Sequence, residues 1–288
     1  MKTCFLSLLL VSLLLAPLAF AQEKTVADLE KELRATRNKG DWPVVAQLAD
    51  ELIARPDASQ AFKSEAKVYR WTALARTLTD FAAITAAAKE VEDDPDMTAF
   101  WKMQVYLEQA QTYPSRKEYE LAIEKADKGI ELVRKMMETQ PKASLADRIW
   151  LMAFAKCESL VGLGETDEAA AYAAKILEEA DNDKIPMRMS FPADFLARVA
   201  RSDDQDLVYA SAARATRAVS RTGKPAEVSA FLSRLPSLKL ENLEDAKDAL
   251  RDDLAKALMG IPAALKDAED ADAAKTASDA AAALAEKF

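Results

Sequence analysis

Cys157 is the one thiol that lies outside the apolar N-terminal segment, and the chain has no histidine. Without histidine there is no His metal ligand, no His general base and no Ser–His or Cys–His catalytic pair. A reactive thiolate also needs a nearby cation or helix N-terminus to lower its pKa. We therefore predict that Cys157 is a packing residue, and that the chain has no catalytic residue and no cofactor.

Two acidic runs, residues 90–96 and 181–183, contain the oxygen ligands that a hard cation such as Ca²⁺ prefers. Neither run has the glycine and the regular ligand spacing of a calcium-binding loop, and both come at predicted helix ends. We interpret them as solvated loops and predict no metal site. Two carboxylates several ångströms apart are enough to hydrolyse a glycosidic bond, so an enzyme of that class stays open at this point.

The four tryptophans are candidate contacts for a ligand or a partner. Trp71 and Trp150 lie among apolar neighbours at helical spacing, and Trp42 follows a turn, so we predict that these three pack inside the fold. Trp101 follows Phe100 at the start of a predicted helix and has no such periodic context. We therefore predict that Trp101 is an exposed contact.

The N-terminal segment has the three parts of a secretory signal peptide. Lys2 gives it a basic start, residues 4–15 are almost all apolar, and residues 19–21 (Ala-Phe-Ala) match a small-residue cleavage site. Pro17 interrupts the apolar run before it reaches the roughly 20 residues of a membrane span. We predict cleavage before Gln22, export to the periplasm or the medium, and no stable membrane insertion after cleavage.

The charge and composition narrow the class of protein further. With 39 basic and 48 acidic residues the formal net charge is −9, whereas a nucleic-acid-binding protein would show a basic stripe. We therefore expect no nucleic-acid partner. Glycine is scarce, with 6 residues, and alanine, leucine, glutamate, lysine and aspartate dominate, which is the composition of helices. The sequence predicts an all-α fold.

A short turn leading into an amphipathic helix recurs four times, at Gly40, Thr79, Lys117 and Gly164. The intervals of about 40 residues are typical of stacked helical hairpins. Each copy has a first helix, which we name helix A, before the turn and a second, helix B, after it. Asp41 is the candidate cap of the first helix B, and Pro43 occupies its first turn, where a missing N–H costs nothing.

Small or β-branched residues recur at fixed places in each hairpin. In the four B helices they are Val45, Ala49, Ile84, Ala88, Ala122, Ala126, Ala169 and Ala173. In the A helices the corresponding residues are Thr72, Ala110 and Cys157, and the larger Leu33 is the exception in the first hairpin. With the turns, this pattern resembles the tetratricopeptide repeat family, in which small side chains let helices A and B cross closely. The resemblance implies a TPR-like α-solenoid of stacked antiparallel hairpins with C-terminal capping helices.

The chain divides into four predicted regions. Residues 1–21 are the signal peptide and residues 22–181 are four TPR-like hairpins. Residues 182–260 form a weaker helical-hairpin region, and residues 261–288 form an Ala-rich C-terminal helix or tail. The amphipathic stripe near the end of the third region consists of Leu243, Ala246, Leu250, Leu254 and Leu258.

The resemblance also implies that the A helices line a concave groove that binds a protein or peptide, as in a scaffold or adaptor. Basic residues are frequent on the A helices and acidic residues on the B helices, so we expect a relatively basic groove. The predicted groove residues are Arg34, Arg37, Tyr69, Arg70, Arg76, Trp101, Gln104, Gln111 and Phe154. A protein of the cell envelope that binds a small molecule or glycan is the alternative hypothesis.

Overall fold

The computed structural model describes residues 24–77, 80–139, 143–185, 191–238, 240 and 246–288. All regular structure in these ranges is helical, as the composition predicted. Among the described helices, none combines the length and the apolar character needed to cross a bilayer. The predicted signal peptide, the turn residue Thr79 and Leu243 lie outside the described residues.

The chain forms two compact units, of which the first ends at Met97 and the second begins at Thr98. This division falls inside the region of the four predicted hairpins. The first unit contains two of the hairpins, with two A helices and two B helices. Its helices are α1 (Val26–Lys39), α2 (Trp42–Ala54), α3 (Gln60–Arg76) and α4 (Phe81–Glu92).

Local signals fix where the helices of the first unit begin and end. Thr25 and Asp28 form a capping box at the start of α1, and Gly40 ends the helix with a left-handed φ of 76°. Asp41 precedes α2 but makes no side-chain cap bond, contrary to the prediction. Pro43 occupies the first turn of α2, where its fixed φ suits a helix and its missing N–H leaves no bond unmade.

The two hairpins pack through the predicted small positions. Helix α2 packs against α1 and α3, and α3 also packs against α4. Val45 and Ala49 on α2 are buried, as are Ile84 and Ala88 on α4. Trp71 on α3 is fully buried, which confirms its predicted place in the core.

The second unit continues with more helices of the same kind. Its A and B helices pack in chain order, with α6 against both α5 and α7, and α7 against α8. The helices are α5 (Ala99–Thr112), α6 (Tyr119–Thr139), α7 (Ala143–Leu163), α8 (Thr166–Asp181), α9 (Phe191–Val199), α10 (Gln205–Ser220), α11 (Pro225–Leu232), α12 (Asp248–Met259), α13 (Ile261–Ala264) and α14 (Ala271–Ala285).

Close approach between the helices of this unit depends on small residues. A Cβ added at Gly129 on α6 would lie 2.3 Å from the sulfur of Met152 on α7. A Cβ added at Gly162 on α7 would lie 2.4 Å from the ring of Tyr119. The predicted small positions on α6 and α8 are all buried, which confirms their packing role: Ala122, Ala126, Ala169 and Ala173.

The C-terminal residues form a helix rather than an irregular tail. Asp270 caps α14 by accepting a hydrogen bond from the Ala273 N–H, and the helix packs against α11 and α12. Ala274, Ala277 and Ala281 form its buried side. In the stripe that precedes it, Leu254 and Leu258 are buried on α12, whereas Ala246 comes before the helix begins.

Candidate functional site

Arg34 on α1 is the first of the predicted groove residues in the first unit, and its guanidinium forms two ion pairs. Its guanidinium lies 2.8 Å from Glu30, one turn earlier on the same helix, and 3.0 Å from Glu65 on α3. The side chain of Glu65 is 18% exposed, so this pair is partly shielded from water. The contact joins the two A helices and compensates the charge of Arg34.

Tyr69 on α3 lies beside this ion pair. Its hydroxyl donates a hydrogen bond to Glu65 Oε1 at 2.5 Å, and burial together with this bond raises the pKa of Tyr69 to about 12. The guanidinium of Arg37 on α1 lies 4.7 Å from the centroid of the Tyr69 ring, and it donates a hydrogen bond of 3.4 Å to the hydroxyl. The structure therefore brings Arg34, Arg37 and Tyr69 together, as predicted.

Arg76, at the end of α3, has a similar aromatic neighbour. Its guanidinium carbon lies 5.6 Å from the ring centroid of Trp42, the first residue of α2. Seven residues separate Tyr69 from Arg76, which is close to two helical turns, so both project from the same side of α3. Trp42 is only half-buried, which corrects the prediction that its ring packs inside the fold.

Arg70 does not belong to this side of α3, which corrects the prediction. It lies 2.8 Å from Asp50 on α2 and 2.9 Å from Glu90 on α4, so it points toward the B helices. The physical reason is the 100° step per residue of an α-helix, which turns Arg70 away from the side that carries Tyr69.

The remaining groove candidates lie in the second unit, where three of them are on α5. Trp101 is half-buried and meets Phe100 edge to face, with ring centroids 5.4 Å apart, while 48% of Phe100 is exposed. Gln104 donates a hydrogen bond to Glu108 at 3.0 Å, and Gln111 is exposed. The exposed aromatic surface at the start of α5 is thus contributed mainly by Phe100.

Phe154 on α7 is covered by its own unit rather than open to a groove, which corrects a second prediction. Its ring packs edge to face against the buried Phe195 on α9, with centroids 6.1 Å apart. The guanidinium of Arg198 lies over the other part of the ring, 5.3 Å from its centroid, and pairs with Glu158. Nothing in the spacing of this segment indicated that α9 covers α7.

The acidic partners on the A helices, Glu30 and Glu65, were missed by sequence reasoning, which treated these helices as basic. One local signal was available, because Glu30 and Arg34 are four residues apart and form the favourable i, i+4 pair of a helix. Glu65 pairs with an arginine 31 residues away, and such a contact follows only from the way α1 and α3 are placed in the fold. The surface of α1 and α3 is therefore of mixed charge rather than uniformly basic.

The crevices described in the structure are small or shallow. One between α1, α2 and α3, lined in part by Leu33, Phe62 and Tyr69, holds about 10 Å³, close to the room of one water molecule. Another, beside Arg221 and Lys224, holds about 220 Å³ and is open to solvent. Within the described ranges no group of three or more His, Cys, Asp or Glu side chains is arranged to hold a metal ion.

Cys157 lies on α7 as a buried packing residue, which confirms the prediction. It is fully buried, and its thiol points to the carbonyl oxygen of Ala169 on α8 at 3.8 Å. Burial raises the pKa of the Cys157 thiol to about 12, so the reactive thiolate is disfavoured near neutral pH.

Comparison with known proteins identifies no family. No family model matches the chain, and no curated protein matches it. Among solved structures, the chain is similar to the crystal structure of BtubC (BKLC) from P. vanneervenii. The two are 13% identical over 89% of this chain and 90% of that chain, with a TM-score of 0.32, a likeness too low to carry an argument.

Proposed function

We propose that this chain is an exported, non-catalytic scaffold or adaptor of the tetratricopeptide-like class, which binds a protein or peptide along its A helices. The observation that carries the proposal is that successive A helices contact each other. In the first unit, α1 and α3 are joined by Arg34–Glu65 and Arg37–Tyr69. In the second unit, α5 packs against α7.

The burial of the predicted small positions supports a TPR-like solenoid as the finer description of this fold. Small side chains at the helix crossings allow each hairpin to stack on the next, and such stacks present one helix of every pair on a common surface. A surface of this kind offers many side chains to an extended or helical polypeptide.

The shape and chemistry of the described surface favour a polypeptide over a small molecule. Pockets for small ligands are concave, mostly apolar and about 300–1,000 Å³ in volume. The crevice among α1, α2 and α3 holds about 10 Å³, and the one beside Arg221 holds about 220 Å³ and is open to solvent. By contrast, Phe100 exposes 48% of its surface, and aromatic side chains are frequent energetic centres of protein interfaces.

The partner-binding role is tested by capture of envelope proteins on the immobilised mature chain, comparing wild type with Phe100→Ala. We expect a specific partner to be retained by wild type and to be reduced several-fold by the substitution. Met259→Ala is the matched control, because Met259 is also a large exposed apolar residue, with 61% of its surface exposed. Equal capture by all three proteins would remove the α5 surface from the proposal, and no capture by wild type would contradict the proposal itself.

Export is tested by the intact mass of the protein recovered from the periplasm or the medium. We expect a mature chain that begins at Gln22. Recovery of this protein with residues 1–21 still attached, or its retention in the cytoplasm, would contradict the assignment of a cleaved signal peptide.

A further inference from the structure

The four arginines predicted for the groove in the first unit differ in how their charges are compensated. Arg34 and Arg70 each lie within 3.0 Å of two carboxylates. Arg37 and Arg76 are exposed, and in the described part of the chain neither has a carboxylate oxygen within the 4.0 Å of an ion pair. Their charges are therefore available to a group that the chain itself does not provide.

Each of these two guanidinium groups lies near an aromatic ring. Arg37 is 4.7 Å from the ring centroid of Tyr69, and Arg76 is 5.6 Å from that of Trp42. An aromatic neighbour holds a guanidinium in place by a cation–π interaction and leaves most of its N–H donors unused. Such a group is suited to bind a carboxylate through two parallel hydrogen bonds, and its aromatic support reduces the entropy lost on binding.

One carboxylate on the same surface, that of Glu65, does not cancel the charge of Arg37. Glu65 accepts a hydrogen bond from the Tyr69 hydroxyl at 2.5 Å and pairs with Arg34 at 3.0 Å. Its charge is thus compensated by a second arginine and a phenol. We name the exposed Arg37 and Arg76, together with the more buried rings of Tyr69 and Trp42 beside them, the Arg37–Arg76 patch.

The spacing of the patch limits what can bind to both arginines at once. Tyr69, which supports Arg37, lies seven residues before Arg76 on α3, a rise of about 10 Å along the helix. A polypeptide in the polyproline II conformation covers that distance in about three residues and presents every third side chain on the same face. Two acidic residues separated by two others would therefore match the patch.

We infer that the Arg37–Arg76 patch binds an acidic segment of the partner polypeptide. Each arginine of the patch pairs with one carboxylate, and the two acidic residues lie about three positions apart in that segment. This inference rests on the proposed scaffold function and specifies its partner. The net charge of −9 disfavours a long polyanion such as a nucleic acid, and it also disfavours a second, equally acidic copy of the chain. A short acidic segment carries much less charge and meets two uncompensated cations.

The experiment measures binding of a fluorescein-labelled peptide to the full mature chain by fluorescence anisotropy. The peptide carries two glutamates separated by two serines, and its control carries glutamines in their place. We expect binding of the glutamate peptide that weakens as salt is added, because exposed charges are screened over about 8 Å at physiological ionic strength. Arg37→Gln and Arg76→Gln should each weaken binding about threefold, and the double substitution about tenfold.

Arg70→Gln is the matched control, because it removes the same formal charge from an arginine that is already compensated and points toward the B helices. We expect it to change binding by less than about twofold. An equal loss in Arg37→Gln, Arg76→Gln and Arg70→Gln would mean that net charge rather than the patch attracts the peptide, and it would overturn the inference. Circular dichroism melting of each variant checks that the fold is retained.

Two further outcomes separate this inference from the proposed function. If the Arg37→Gln/Arg76→Gln protein captures the envelope partner as well as wild type does, the patch is excluded while the scaffold function stands. If the peptide binds as expected but wild type captures no envelope protein, the patch stands and the scaffold function fails. Self-association that is lost in the double variant would replace the acidic segment with a second copy and overturn the inference.

Discussion

One buried contact from each unit illustrates two different ways in which helices are joined. At the end of the second hairpin of the first unit, Asp94 is a buried carboxylate that accepts hydrogen bonds from Lys67 at 2.6 Å and from the Asp96 N–H at 2.9 Å. In the second unit, the fully buried Trp150 on α7 stacks on Phe191 and meets Phe195 edge to face, both on α9. The contact at Asp94 is electrostatic, whereas the contact at Trp150 depends on the buried volume of aromatic rings.

The difference shows how hairpins of one pattern can be stabilised in two ways. The second unit is much longer and packs its helices around one continuous apolar core that extends from Met103 to Ala281. Polar contacts between helices occur in both units, such as Arg34–Glu65 in the first and Arg217–Asp253 in the second. Small units bury a smaller fraction of their surface, so single polar contacts contribute relatively more to their stability.

The largest effect is expected from the packed aromatic cluster of the second unit. Trp150→Ala removes a fully buried ring that contacts Phe191 and Phe195, and we expect it to lower the free energy of unfolding by about 3–5 kcal/mol. Urea unfolding followed by circular dichroism measures this. Trp42→Ala is the control, because Trp42 is only half-buried. If Trp150→Ala lowers the free energy of unfolding no more than the control does, the buried volume of the Trp150 ring is not what stabilises this contact.

The charged contact of the first unit should respond to Asp94→Asn. The substitution leaves Lys67 without its anion, and because the Lys67 side chain is 23% exposed we expect a cost of about 1–3 kcal/mol, below that of a fully buried pair. Asp93→Asn is the matched control, since the Asp93 side chain is 63% exposed and its pair with Lys89 lies on the surface. Equal costs for the two variants would show that burial of the ion pair is unimportant.

The same contact predicts a pH dependence. Burial alone would raise the pKa of Asp94, but hydrogen bonds from Lys67, the Asp96 N–H and Ser64 outweigh it and hold the pKa below its ordinary value of 3.8. The stabilisation is therefore complete above that value and is lost as the pH falls through the lower pKa of the folded state. The stability difference between wild type and Asp94→Asn should shrink below about pH 3.8. A difference that stays constant down to acid unfolding would contradict this.

Substitutions of Cys157 test how closely α7 and α8 pack around one small side chain in the second unit. Cys157→Ala should cost about 1 kcal/mol because little volume is lost, and Cys157→Leu should cost about 1–3 kcal/mol because the larger side chain forces α7 and α8 apart. A thiol reagent should label the folded protein slowly and the unfolded protein fast. Rapid labelling of the folded protein would reopen a chemical role for this thiol.

The smallest effect is expected at Gly162, where α7 meets the ring of Tyr119. An added Cβ would lie 2.4 Å from the ring, so we expect the overpacking in Gly162→Ala to outweigh the gain in helix propensity by about 1 kcal/mol. In a Tyr119→Ala background the same substitution should become neutral or stabilising. A cost that persists without the ring would place the conflict elsewhere.

Much of the fold could be predicted from the sequence because its signals are local or periodic. The turns at Gly40 and Gly164, which adopt left-handed φ values of 76° and 85°, and the buried small residues of the B helices follow from spacing alone. The site was predicted less completely. Arg34, Arg37 and Tyr69 do come together, but Arg70 points to the other side of α3, and α9 and Arg198 cover Phe154.

The sequence by itself determined the helical class, the hairpin boundaries and the burial of Cys157, since helix propensity, capping and apolar periodicity act over a few residues. Only the tertiary structure decided which charges remain uncompensated. Glu65 meets Arg34 across 31 residues and Glu90 meets Arg70 across 20, whereas Arg37 and Arg76 lie over aromatic rings instead. Those pairings depend on how far each helix is rotated about its axis when it packs against its neighbours, and no local pattern encodes that rotation.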